Sequence, residues 1–193
     1  MSEPNTRSPA RRADAERNRA KILAAARVAF AGAEAEVSMA EISRRAGVGM
    51  ATLYRNFPSR QELLEALYTD EVNAVCEAAE AIDGETAGAV LAAWLHRFFA
   101  FYNSKRHVGS ELLRHSAGSA PFLNEGRSRV LAAGQPLLLA AQRTGEARGD
   151  LTLEQVLDMV IAIAKIEGKP DYLEPILQVT LDGLLPPTNC EPT

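Results

Sequence analysis

Apolar side chains recur every three or four positions along most of this chain, and nowhere do they alternate as a strand requires. From about Asp14 to Ala31 an alanine-rich stretch sets Ile22, Ala26, Ala29 and Phe30 on one helical face. Ser38-Met39-Ala40-Glu41 then has the form of a capping box. The serine oxygen can accept from a first-turn amide while the glutamate reaches back. Met39, Ile42 and Ala46 continue that face, and Gly47 supplies the left-handed residue that ends such a helix. A short helix follows, closing at Asn56, because the residue before Pro58 avoids helical torsions. Ser59-Arg60-Gln61-Glu62 is a second capping box and opens a long helix with Leu64, Leu67, Glu71, Val72 and Val75 on one face. Asp83-Gly84 breaks it.

The remainder is helical as well. Leu91, Leu95, Phe98 and Tyr102 share a face, flanked by Trp94 and Phe101, and shorter patterns cover about 106–116 and 120–145. Pro136 predicts a kink or boundary in the latter. Thr152 starts a segment whose Leu153, Val156, Leu157, Val160, Ile161 and Ala164 form a broad apolar stripe. Past Gly168-Lys169-Pro170, a final helix over about 171–184 carries Leu173, Ile176, Leu177, Val179, Thr180 and Leu184. The pattern predicts an all-α protein: a basic, disordered arm over 1–12, a three-helix domain over 13–58, a helical body over 59–186 and a tail over 187–193.

Three short helices with a glycine turn between the second and third have the organisation of a helix-turn-helix DNA reader. Met39, Ile42, Val48 and Leu53 can pack inward and fix the interhelical angle. That frees Met50, Ala51, Thr52, Tyr54, Arg55 and Asn56 for other surfaces. A helix this short must be held by its neighbours. Gly49 and Ala51 permit close approach to a groove, and the first amides can meet phosphate.

Over Met39 to Tyr68, MAEISRRAGVGMATLYRNFPSRQELLEALY, the chain resembles the DNA-binding region of the TetR family of bacterial one-component transcription regulators. Ile42, Ala46-Gly47-Val48, Thr52-Leu53-Tyr54, Phe57-Pro58 and Leu63 carry the likeness. The motif covers roughly residues 14–75; beyond it the likeness is one of architecture. The resemblance implies phosphate contacts from Thr52, Tyr54 and Arg60, with Arg44 and Ser38 near the same backbone. Arg55, Ala51 and Met50 are the side chains that would face base edges. Gly49-Met50 departs from the polar residue and lysine common there, and Glu34 stands where the family often has glycine.

A short recognition helix reads too little DNA alone, so a homodimer reading a palindromic operator is expected. The last two helices offer the dimer surface, through Leu153, Val156, Leu157, Val160, Ile161, Ala164, Leu173, Ile176, Leu177 and Thr180. Plain intramolecular core is the alternative for that stripe. The resemblance also implies a small-molecule pocket in the aromatic-rich middle, with Trp94, Phe98, Tyr102, Leu112, His115 and Leu138 as candidates and a largely apolar, unidentified effector. Core packing explains each of these equally well. Repression relieved by the effector is what the resemblance implies as the default.

Charge supports the same polarity. Residues 1–60 hold 11 Lys+Arg against 6 Asp+Glu, whereas the rest holds 10 against 19, which suggests a polyanion at one end. No apolar run reaches membrane-spanning length, and the N-terminus has no signal-peptide centre, so a cytoplasmic protein is expected. Cys76 and Cys190 are expected as free thiols; His96, His107 and His115 lack metal-ligand spacing, so neither a metal nor a cofactor is expected. No nucleophile–base pair or phosphate-cradling loop nominates an enzyme. The other reading left open is a helical ligand carrier or adaptor whose reader has degenerated.

Overall fold

In a computed structural model, residues 9–31, 37–104 and 121–186 are described. They form eight helices: α1 (Pro9–Ala31), α2 (Met39–Ala46), α3 (Met50–Asn56), α4 (Arg60–Ala81), α5 (Ala87–Ser104), α6 (Pro121–Arg143), α7 (Leu153–Ala164) and α8 (Pro170–Leu184). No strand occurs among the described residues, so the fold is all-α. The segment 106–116, the candidates Leu112 and His115, Glu34 and the tail with Cys190 lie outside them.

Two expectations are corrected. The first helix begins at Pro9, not near Asp14, so Pro9 to Arg12 belong to α1. Proline fits there because the first helical position needs no amide donor. Pro136 is not a helix boundary either, since α6 continues through it. It and Ala132, four residues earlier, are both exposed, so the carbonyl that loses its partner can bond water.

The chain divides into two compact units. Among described residues, the first holds α1, α2, α3 and α4 as far as Tyr68. Ile22, Ala26, Ala29 and Phe30 of α1 are buried, with Ile42, Leu53, Leu63, Leu64 and Leu67 from the other three and Phe57 just past α3. Helix α1 packs on both α2 and α3, which holds the seven-residue α3 that could not stand alone. Arg19 lies 4.5 Å from the centre of the Phe57 ring, closing the far side of α3.

The second unit contains the rest of α4 and α5 to α8. Its core runs through Val72, Val75, Leu91, Trp94, Leu95, Phe98, Val130 and Leu138, and on to the inner faces of α7 and α8. Thr152 and Gln155 form a full capping box at the start of α7, each side chain bonding the other's amide. Arg127 on α6 donates to Glu154 at 3.1 Å and Asp158 at 2.9 Å, pinning α7 from outside.

Candidate nucleic-acid interface

The turn between α2 and α3 is fixed by its own polar atoms. Ser38 caps α2, its Oγ accepting from the Glu41 amide at 3.1 Å. Gly47 ends that helix at φ 66°, in the left-handed region, and donates to the Arg44 carbonyl at 3.2 Å. Ser43 and Val48 then bond each other twice. The Val48 amide donates to the Ser43 carbonyl at 3.1 Å, and the Ser43 hydroxyl donates to the Val48 carbonyl at 2.6 Å. Ser43 is buried, and the sequence reading missed it. A serine inside a short amphipathic helix, one turn before the glycine, was the available signal.

With Leu53 buried, α3 presents Met50, Ala51, Tyr54 and Arg55 outward, while Thr52 and Asn56 are half-buried at its margins. Tyr54 is 46% exposed, too much for a core aromatic. Arg55 lies back along its helix: its Nε donates to the Ala51 carbonyl at 3.2 Å and an Nη to Thr52 Oγ1 at 2.9 Å. Asn56 donates to the Thr52 carbonyl at 2.8 Å. Of the eight nucleic-acid candidates, Met50, Ala51, Tyr54 and Arg55 are exposed on α3, Thr52 is half-buried there, and Arg44 is exposed on α2. The other two are engaged by the protein itself. Ser38 is occupied as a cap, and Arg60 donates to the Val37 carbonyl with its guanidinium 5.4 Å from the Phe30 ring centre.

The second capping-box partner behaves differently from expectation. The Glu41 carboxylate is taken by Arg44, through Nε at 2.9 Å and Nη2 at 2.7 Å, and by Arg45 Nε at 2.6 Å. Two guanidiniums one turn ahead outweigh a single backbone amide. Arg44 first, then Arg45, holds the Glu41 carboxyl below its usual range.

In the second unit the candidate pocket residues separate. Trp94 is wholly buried, its indole N–H donating to the Val75 carbonyl at 3.1 Å, so that polar atom is already satisfied. Phe98 stacks on it at 6.1 Å and meets Tyr102 at 6.2 Å. Leu138 is buried, whereas Phe101 and Tyr102 are half-buried at the end of α5. Cys76 is a free, half-buried thiol pushed up by burial.

Seven of the expected dimer residues are corrected outright. Leu153, Val156, Leu157, Val160, Ala164, Leu173 and Leu177 are already buried within the single chain and have no surface left to give a partner. The stripe on α7 is broad because α5, α6 and α8 all cover it. Ile161, Ile176 and Thr180 keep partial exposure. A second stripe on α8 went unnoticed: Tyr172, 61% exposed, and Val179, 72% exposed, line up with Ile176 at spacings of four and three. Among described residues no group of side chains could hold a metal ion, and no helix is long and apolar enough to cross a membrane.

Comparison with known proteins gives matches over both units. Residues 22–67 match the family model described as bacterial regulatory proteins of the tetR family. Residues 86–186 match the transcriptional regulator SbtR-like C-terminal domain. Among solved structures, the TetR transcriptional regulator SCO0520 from Streptomyces coelicolor is 34% identical, with 87% of this chain and 98% of that one covered and a TM-score of 0.74. A TetR transcription regulatory protein from Mycobacterium vanbaalenii is 31% identical, with 90% and 98% covered and a TM-score of 0.70. FadR from Bacillus subtilis, solved with stearoyl-CoA, shares the fold at 18% identity, with 86% and 98% covered and a TM-score of 0.59. No curated protein matched by sequence.

Proposed function

The chain belongs to the TetR family of transcriptional regulators, and from that premise we propose that it is a repressor, bound as a homodimer to a palindromic operator and released by a small apolar effector. The observation that carries this reading is the outward surface of α3. Met50, Ala51, Tyr54 and Arg55 face solvent on a helix whose turn is clamped by Ser43 and Val48. A surface this specific has no structural purpose of its own, and its chemistry suits a major groove. Arg55 would leave Thr52 to donate to a guanine edge, and Met50 would touch a thymine methyl. Thr52, Tyr54 and Arg44 would meet phosphates, while Ser38 and Arg60 would serve by holding the reader's frame.

Two readers must be presented about 34–36 Å apart, or a multiple of that, to meet successive half-sites. The exposed α8 stripe of Tyr172, Ile176, Val179 and Thr180, with Ile161, supports pairing there. The effector would lie against the half-buried Phe101 and Tyr102 end of α5, with Phe98 behind them. FadR, which has the same fold, was solved with stearoyl-CoA, whose acyl chain is apolar, and this supports such an effector. Helix α4 runs unbroken from Arg60 to Ala81 and contributes to both units, so its displacement is the route for release. Shifting a 1:99 equilibrium to 99:1 needs about a 10⁴-fold preference of the effector for the released state. A non-enzymatic, cytoplasmic protein belongs to the same reading.

The test is selection of bound duplexes from a random library by the purified protein, with and without added effector candidates. The expected result is an enriched palindrome whose half-sites lie one turn, or a multiple, apart. Tyr54→Phe and Arg55→Ala should weaken its binding, and Arg44→Ala, which removes a cationic phosphate contact, should flatten the salt dependence by about one unit of slope. A folded dimer that enriches nothing under any condition would favour the adaptor reading instead.

A further inference from the structure

Glu41, Arg44 and Arg45 form a three-residue charge cluster on α2, the helix that precedes the proposed reader helix α3. Resting on the reading of this chain as a DNA-binding regulator, we infer that Glu41 is a positioning residue that holds Arg44 and Arg45 in the geometry the operator phosphates require. The bonding pattern is what distinguishes this from a simple surface ion pair. Glu41 grips Arg44 by Nε and Nη2 only, so both Nη1 hydrogens remain to donate outward. It grips Arg45 by Nε alone, which leaves both terminal nitrogens. Arg44 is 75% exposed and Arg45 42%, against 29% for Glu41, so the carboxylate lies beneath the two cations. An ionised carboxylate that accepts from both is bidentate on the first, the planar, oriented geometry that suits arginine.

The effect on binding follows from side-chain freedom. A long arginine loses much rotamer entropy when it is fixed on a phosphate, and fixing it beforehand removes that cost from association. The benefit is confined to the operator complex, in which each phosphate occupies one place. Loose, sliding complexes on other sequences do not need it. Plain electrostatics predicts the reverse: Glu41 subtracts one charge from the cluster, so its removal should strengthen binding to any DNA. The two accounts differ in sign.

The experiment uses the full-length protein with two probes, a duplex enriched from the random library and a scrambled duplex of the same length and composition. Glu41→Gln keeps the backbone amide that Ser38 accepts from, so the cap survives, and thermal melting checks the fold. Positioning predicts a loss of about five- to tenfold on the selected duplex, with binding to the scrambled one unchanged or stronger. In an Arg44→Ala/Arg45→Ala background the same substitution should change affinity less than about twofold, because its effect passes through the arginines. Stronger binding to both duplexes would reduce Glu41 to a charge mask and overturn the inference. An equal loss on both, or an undiminished loss in the arginine-free background, would assign it to the fold of α2 and overturn it too. Wild-type protein that binds no duplex sinks the regulator reading itself, a failure visible before any variant is made.

Discussion

The six-membered ring of Trp94 occupies the space where a side chain on Gly134 would begin. A methyl group added there would lie 2.1 Å from Cη2 and 2.5 Å from Cζ3. The ring cannot turn away freely, because its N–H is tied to the Val75 carbonyl at 3.1 Å and its face stacks on Phe98. One tryptophan thereby fastens α4, α5 and α6 together.

Gly134→Ala should therefore destabilise the protein, although alanine is the better helix former by up to about 1 kcal/mol. Overpacking of a fixed ring should outweigh that gain, leaving a net loss of about 1–3 kcal/mol in denaturant unfolding. Trp94 is the single tryptophan, so its buried, blue-shifted emission follows the transition directly. A gain in stability from this substitution would show that the ring is not held as described.

Much of this arrangement was legible in advance, and the boundary has a physical basis. Helix order, the Gly47 turn and the outward face of α3 follow from periodicity and local chain chemistry, which act over a few residues. The start of α1 was misplaced because Pro9 serves equally in an arm or at a helix N-terminus. The α7 stripe was assigned to a partner subunit because periodicity reports that a face is covered, not by what. Tyr172 stands one position from the buried Leu173 and Val179 two from the buried Leu177 and Leu181, and only the three-dimensional packing separates the two stripes. The Glu41 carboxylate had two legitimate partners in sequence, the Ser38 amide and the arginines, and competition between them is settled by geometry.

Ser43 should prove as important to the reader as any residue on its surface. Its hydroxyl is buried and donates to the Val48 carbonyl at 2.6 Å, inside the turn that sets α3. Ser43→Ala would leave that carbonyl without its donor, at a cost of about 1–3 kcal/mol. The melting temperature should fall by several degrees. Affinity for a selected duplex should fall as well, since a loosened turn no longer fixes the angle of α3. Unchanged melting would mean that water replaces the hydroxyl without penalty.

Glu146 gives the second unit a pH-dependent contact. Its carboxyl is held below the ordinary value of 4.5, first by the Thr86 hydroxyl and then by the Gly88 amide, which donates at 2.9 Å at the start of α5. A folded-state value below the unfolded one means that the contribution is fully present above about pH 4.5. It is lost as pH falls through the lowered value. Wild type should thus be more stable than Glu146→Gln at neutral pH, and the two melting curves should converge as the pH falls through that lowered value. Curves separated by a constant offset throughout that fall would exclude an ionised Glu146 as the cause.

Helix α8 offers a direct separation of core from the proposed subunit contact. Leu177 is fully buried in the single chain, whereas Val179, two positions on, is 72% exposed. Leu177→Ala should destabilise each subunit by about 2–5 kcal/mol through the cavity it leaves, and leave the dimer in place where the protein is folded. Val179→Asp should do the opposite. A charge forced into an apolar seam resists pairing, so light scattering should report a monomer with native helical content. The melting temperature of that monomer should no longer rise with protein concentration, because no association remains to stabilise it. If Val179→Asp stays dimeric with an unchanged dissociation constant, the pairing surface lies off this stripe, and the spacing of the two readers must be set by another face.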